Sequence, residues 1–268
     1  MSYDSIIISG TLAGMIEHYV GLIPRSILDH NQLNKSYFKS DSEIFKKMYS
    51  EQGIRGFLRG IFPLFFSISF SHSWLFYFYE LNKKSTSNTN SLLYSSIGRI
   101  GHDILMIPGD TIRMRNNVSG MNNIETIKDI YKNQKIFGFF KGSPISIIMN
   151  IPSGIIEFFI MKNCITHLGD ENYKIFGYGA LAGITGSVIN NPLDIIKTRI
   201  QTQGITNKYS NIKYPFYKSY LDLAKNIYSE RGIKGLFRGS LLRSFQVSIC
   251  YGTYELVSKK LNIQEYQH

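Results

Sequence analysis

Three histidines of this 268-residue chain lie within stretches poor in charge: His18, His72 and His102. Glu17 precedes His18, Ser71 and Ser73 flank His72, and Asp103 follows His102. Met149-Asn150 lies in a fourth apolar stretch. Ionisable groups at membrane depth are costly and mark pathways. Imidazole, thioether and carboxylate together suit a first-row divalent metal better than a phosphate or a keto acid. Each residue also has a plainer reading. His18 or His102 alone would serve as a hydrogen-bonded packing residue. Glu17 or Asp103 would serve as charge partner to Arg99, and Met149 as wall packing. His30, His167 and His268 are expected to be solvated.

The elements that carry these residues are repeated. Pro192-Leu193-Asp194-Ile195-Ile196-Lys197-Thr198-Arg199 has a copy in Pro108-Gly109-Asp110-Thr111-Ile112-Arg113-Met114-Arg115, and a worn copy surrounds Pro24. The prolines stand 84 residues apart both times. A second motif recurs as Gly53-Ile54-Arg55-Gly56-Phe57-Leu58-Arg59-Gly60, as Lys135 to Gly142 and as Gly232 to Gly239. A fixed long period means repeated structural units. Spans are read at about 5–32, 62–84, 92–116, 143–164, 173–201 and 240–260, with amphipathic helices near 41–50, 122–131 and 216–228. The run from Ile61 to Tyr79 carries no Asp, Glu, Lys or Arg. It has about the 20 residues a bilayer core requires, where the backbone must satisfy itself in a helix or a closed barrel, and barrel alternation is absent. Pro24, Pro108 and Pro192 remove helix donors and are expected to kink the odd spans. Gly10-xxx-Gly14 and Gly179-xxx-Gly183 permit close helix approach.

These motifs resemble the mitochondrial carrier family, with its three repeats and a Px[DE]xx[KR]x[KR] motif ending each odd helix. The resemblance covers about residues 5–262. It implies an all-α membrane protein with six transmembrane helices in three pseudo-symmetric repeats, each with a short amphipathic matrix helix. Residues 1–268 then form one carrier domain, with repeats at 5–84, 92–164 and 173–260. The family's acid of one repeat pairs with the base of the next to close a matrix gate. By that rule Asp110 with Lys197 survives. Arg113 lacks its acid and Asp194 its base, because Arg25, Ser26, Leu28 and Asp29 fill the first repeat, and a weakened matrix network is expected. On the other side Glu80 and Lys83 keep the second network's pattern, Lys162 has lost its acid, and Glu255 has lost its base.

Within the family, Glu17-His18, Ser71-His72-Ser73, Gly101-His102-Asp103 and Met149-Asn150-Ile151-Pro152 resemble the iron-carrying branch, the mitoferrins. That resemblance implies His18, His72, His102 and Met149 as a metal path with Asn150 beside it, and iron as cargo rather than cofactor. Arg243, on the sixth span, would favour an anionic or chelated cargo. With Ser67 and Asn150 it also leaves open an organic-solute carrier, for S-adenosylmethionine or a similar cargo. The worn signatures leave open a degenerate carrier acting as a scaffold.

The net charge of +11 does not indicate nucleic acid, because of where it falls. Segments 33–60, 117–142 and 202–239 hold 17 Lys+Arg, whereas the segments on the opposite side hold 5. Charge-biased topology produces this asymmetry, and basic loops suit anionic lipids such as cardiolipin. By resemblance the basic side faces the matrix of an inner-membrane monomer whose termini face the intermembrane space. The mean hydropathy of −0.09 reflects charged loops and polar cavity faces. Two cysteines, Cys164 and Cys250, make no disulfide framework. Met1-Ser2-Tyr3-Asp4 does not read as an Arg-rich presequence, so targeting by internal signals is expected. P-loop, HExxH and nucleophile-elbow motifs are absent, so an enzyme is not expected.

Overall fold

The computed structural model describes the backbone of residues 3–33, 40–209, 213–235 and 240–265, and all their side chains except those of 231, 233–235, 240–247 and 262–265. The first span breaks into α1 (Tyr3–Val20) and α2 (Leu22–Leu33), bent by 60°. The bend falls at Gly21, and Pro24 sits in the first turn of α2, where a missing N–H costs little. Next come α3 (Asp41–Gln52), α4 (Ile54–Phe57), α5 (Ile61–Lys84), α6 (Asn88–Ser119) and α7 (Asn123–Gln134). A 3-10 turn at Ile136–Phe140 leads into α8 (Ser143–Leu168), α9 (Asn172–Thr202), α10 (Tyr220–Gly235) and α11 (Ser240–Glu265). Helices α6 and α9 run unbroken through Pro108 and Pro192, so among the described residues the odd-span break is confined to the first repeat.

Neighbouring helices close a ring: α1 on α5, α5 on α6, α6 on α8, α8 on α9, α9 on α11, and α11 back on α1. Inside it, α2 meets the lower halves of α6 and α9. Among the described residues, two helical stretches qualify by length and composition to cross a membrane, Ile54–Lys84 and Ile136–Leu168, and the bent α1–α2 pair makes a third. Helix α6 fails such a test because it carries Arg99, Asp103, Asp110, Arg113 and Arg115. All but Arg99 of these are buried in the bundle, where ionisable residues of a span belong. The outward faces carry exposed Phe62, Phe66, Phe70, Ile148 and Phe159, as a lipid-facing surface requires.

Small residues set the helix spacing that places His72. A Cβ at Gly10 would sit 3.0 Å from the His72 carbonyl oxygen, and one at Gly14 would overlap the His72 ring. On the far side of the ring, a Cβ at Gly179 would lie 3.0 Å from Ser248 Cα on α11. Backbones approach this closely only where the side chain is absent.

The second repeated motif reads as backbone geometry. Gly60 and Gly142 precede α5 and α8 with φ of +75° and +93°. Gly60 leaves room for Arg113, and Gly142 for Lys197 and Gln201. At the start of the motif, Gly53 and Gly232 have φ of 61° and 60°. Lys135 takes the equivalent place in the second repeat, with φ 55° and ψ −153°, a region close to glycine-only territory. The short helices α3 and α7 are capped from the sequence: Ser40 Oγ accepts the Glu43 N–H at 3.2 Å, and Asn122 with Glu125 forms a reciprocal capping box. Lys135→Gly is expected to stabilise the protein by about 1 kcal/mol by removing this strain. Thermal unfolding in detergent reads it as a raised Tm.

Candidate functional site

One cavity of about 130 Å³ runs down the ring's axis and joins the three histidines to the charges around Asp110. His72 is central to it, and only 2% exposed. Its ring centroid lies 5.3 Å from that of His18 and 4.9 Å from that of His102, both edge-on. Three imidazoles from α1, α5 and α6 thus meet, although 54 and 30 residues separate them in sequence. His72 Nε2 lies 3.3 Å from Glu17 Oε2, and His102 Nδ1 lies 3.1 Å from Asp103 Oδ1.

Behind the imidazoles is a polar relay. Asn150 Nδ2 donates to Asp103 Oδ2 at 2.8 Å. Asn190 Nδ2 donates to Asn150 Oδ1 at 3.1 Å and to Ser153 Oγ at 2.8 Å. The relay joins α6, α8 and α9 and orients the carboxylate that faces His102. Metal-site carboxylates and imidazoles need such outer partners to hold their orientation.

Several sequence expectations change place. Met149 does not line the cavity. At 2% exposure it packs with Ile145, Ile195, Ile196 and Leu223, because its helix turns Asn150 and Ser153 inward instead. Met106 supplies the thioether at the cavity wall, and its Sδ accepts a hydrogen bond from Ser71 Oγ at 3.5 Å. Arg99 pairs neither with Glu17 nor with Asp103. Its partner is Glu157 on α8, and its guanidinium also donates to Tyr251 Oη at 3.3 Å. His30 is buried rather than solvated, with Nδ1 3.0 Å from the Ser26 carbonyl, whereas His167 is exposed. Ser67 packs against Gly109. The side chain of Arg243 and all of His268 lie outside the described residues. Glu157, Met106, Cys250 and Tyr251 were missed as cavity groups. Glu157 alone left a signal, as an acid in an otherwise apolar span.

The Asp110 end of the cavity is closed more completely than the signatures implied. Asp110 receives Arg25 from α2 at 3.3 Å, Arg113 at 3.0 Å and Lys197 from α9 at 3.5 Å. Arg113 does find an acid in the first repeat, since its Nη1 lies 2.7 Å from Asp29 Oδ2. The 60° bend brings α2 across the bundle, so Asp29 reaches a base that linear spacing had left unpaired. Asp194 accepts from Gln32 Nε2 at 3.1 Å. Gln32 Oε1 in turn accepts from Thr198 at 2.6 Å. The expectation of a weakened network is therefore corrected at Arg113.

The opposite end is closed by aromatic packing and a shared lysine. Lys83 Nζ lies 3.2 Å from Glu80 and 3.1 Å from Glu255. Tyr79 Oη donates to Glu255 at 3.0 Å, and Tyr254 Oη to Glu80 at 3.1 Å. Phe76 and Tyr254 stack at 3.8 Å. Lys162, without its acid, donates to the backbone carbonyls of Asn82 and Ser85.

A ring of six helical columns around a polar cavity, with ionic closures at both ends, is the architecture of a membrane carrier. The family model described as "Mitochondrial carrier protein" matches residues 3–90, 84–172 and 169–265, and the chain belongs to the mitochondrial carrier family. It is similar to "Mitoferrin" of Dictyostelium discoideum, 27% identical across 93% of this chain and 91% of the relative. It is also similar to "Protein MITOFERRINLIKE 1, chloroplastic" of Arabidopsis thaliana, 27% identical across 86% of this chain and 60% of the relative. The mouse electrogenic aspartate/glutamate antiporter matches at 24% across 83% of this chain and 35% of its own length.

The Asp29–Arg113 pair has a measurable consequence. Asp29→Ala is expected to destabilise the protein by about 3 kcal/mol, as loss of one partner of a buried ion pair does. The double variant Asp29→Ala/Arg113→Ala should lose less than the sum of the single changes. Unfolding of the four proteins in detergent measures that coupling.

Proposed function

We propose that the protein imports iron, as Fe2+ or a small chelate, into the mitochondrial matrix by alternating access across the inner membrane. The observation that carries this reading is the convergence of His18, His72 and His102 on one cavity, with Glu17 and Asp103 beside them. An organic-solute site requires no such set of imidazoles. The described cavity cations are already matched, Arg99 by Glu157 and Arg25 and Lys197 by Asp110, which leaves them poorly placed to hold an anionic solute. The mitoferrin relatives favour the same cargo. The basic loops face the matrix in this reading, and the termini face the intermembrane space.

The mechanism follows from where the ligands stand. The three imidazoles belong to α1, α5 and α6, so rocking of the helices changes which of them reach the ion. A site that never closes all its ligands at once binds and still releases. Breaking the Asp110 cluster opens the matrix side, and separating Lys83 from Glu80 and Glu255 opens the other. Borderline ligands accept Fe2+, but Cu2+ and Zn2+ bind such sites at least as well. Selectivity then comes from supply or from carriage as a chelate.

Liposomes holding a fluorescent metal reporter test the proposal. Wild-type protein should admit Fe2+ above protein-free vesicles, and His72→Ala should slow uptake by at least about tenfold. Equal rates would remove His72 from the path. No uptake by the wild type would exclude free Fe2+ and leave chelated iron or an organic solute as the cargo.

A further inference from the structure

The geometry points to a specific three-ligand metal site within the cavity, formed by Glu17 of α1, His72 of α5 and the thiol of Cys250 of α11. This rests on the metal-carrier reading above and gives the ion its principal ligands. One carboxylate oxygen, one imidazole nitrogen and the sulfur all lie within 4.8 Å of one another. Cys250 is buried, and Glu17, His72 and Cys250 all line the same cavity.

One tautomer of His72 suits the assignment. Its Nδ1 lies 3.2 Å from the Ile68 carbonyl oxygen, which can only accept. Nδ1 also lies 3.2 Å from the Ser71 hydroxyl, and in the tautomer that donates Nδ1–H to Ile68 the Nε2 lone pair faces the Glu17 carboxylate across 3.3 Å. A lone pair and a carboxylate repel at that distance unless positive charge lies between them, as a second ring proton or as a metal ion. A backbone carbonyl holding one imidazole nitrogen while the other is offered to an ion is the usual outer-shell device of histidine metal sites. Gly14, whose missing side chain leaves room for the ring, fixes the ring's position from the opposite helix.

The spacing also has a mechanical meaning. Metal–ligand distances of about 2.0–2.3 Å place tetrahedral ligand atoms about 3.3–3.8 Å apart. The Glu17–His72 pair already has that separation, and the site as a whole is at most about 1 Å too wide. Loading therefore draws α1, α5 and α11 together, two helices from the first repeat and one from the last. Three protein ligands leave a fourth position open, as in sites that exchange their ion. His18 and His102, on either side of His72, are placed to supply that fourth ligand in turn. The thiol binds as thiolate and releases its proton to solvent. It biases the site toward softer divalent ions and away from Mg2+ and Ca2+.

Cobalt titration of the purified full-length protein in detergent is the test. Co2+ reports a sulfur ligand through a near-ultraviolet thiolate-to-metal charge-transfer band, independently of transport. Wild type should show the band, and Cys164→Ser should keep it, since Cys164 is half-buried in the packing around Tyr79 and Phe158. Cys250→Ser should lose the band and bind Co2+ at least about tenfold more weakly. Excess Mg2+ should not displace the band. No band in folded wild type, or the same spectrum in Cys250→Ser, would overturn the site. The band with no Fe2+ uptake in vesicles would sustain the site and refute iron import. Fe2+ uptake at equal rates in wild type and Cys250→Ser, with no band, would do the reverse.

Discussion

The carboxylate of Asp110 is where the three repeats are tied together. Arg25 reaches it from the first repeat, Arg113 from its own helix and Lys197 from the third. A buried anion without cations would cost several kcal/mol, so the odd helices stay converged while the cluster holds. Arg113 carries the connection onward to Asp29, and Gln32 carries it to Asp194 and Thr198. The cavity floor, the bend of the first span and the closure at that end all depend on this arrangement. A buried ion-pair cluster is also poor evidence of net stability, because desolvation offsets most of the attraction. A transporter needs that balance, since its closure must be specific in geometry and cheap to reopen.

Above that floor, the histidine cluster is held by shape. Glycines at positions 10 and 14 let α1 lie directly on the backbone around His72. The Asn190–Asn150–Asp103 relay fixes the group beside His102. The layer of Phe76, Tyr79, Phe158 and Tyr254 covers the cavity at the other end, and Lys83 bridges two acids there. Polar groups are therefore concentrated along one axis, and apolar groups face outward. That division explains how a chain with near-neutral mean hydropathy forms a membrane bundle, and why only some of its helices are apolar enough to be recognised as spans.

Much of this was legible in the sequence. The equal spacing of the prolines, the recurring glycine-basic segments and the charge bias of the loops determine three repeats and their helices. The reason is local: helix periodicity, capping residues such as Ser40 and Asn122, and left-handed glycines act within a few residues of themselves. Residue types also marked His18, His72 and His102, because ionisable groups in apolar stretches stand out in any linear reading.

The partners were not legible. The sequence left Arg113 without an acid, gave Arg99 the wrong one and sent Met149 to the cavity in place of Met106. Each error came from the rotation of a helix about its axis or from the bend at Gly21, which moves α2 across the bundle. Cys250 shared the cavity with Glu17 although 233 residues separate them. The sequence by itself determined which helices form and which residue types they carry. Tertiary structure alone decided which side chains meet, because the angle of each helix is set by packing against its neighbours around a closed ring.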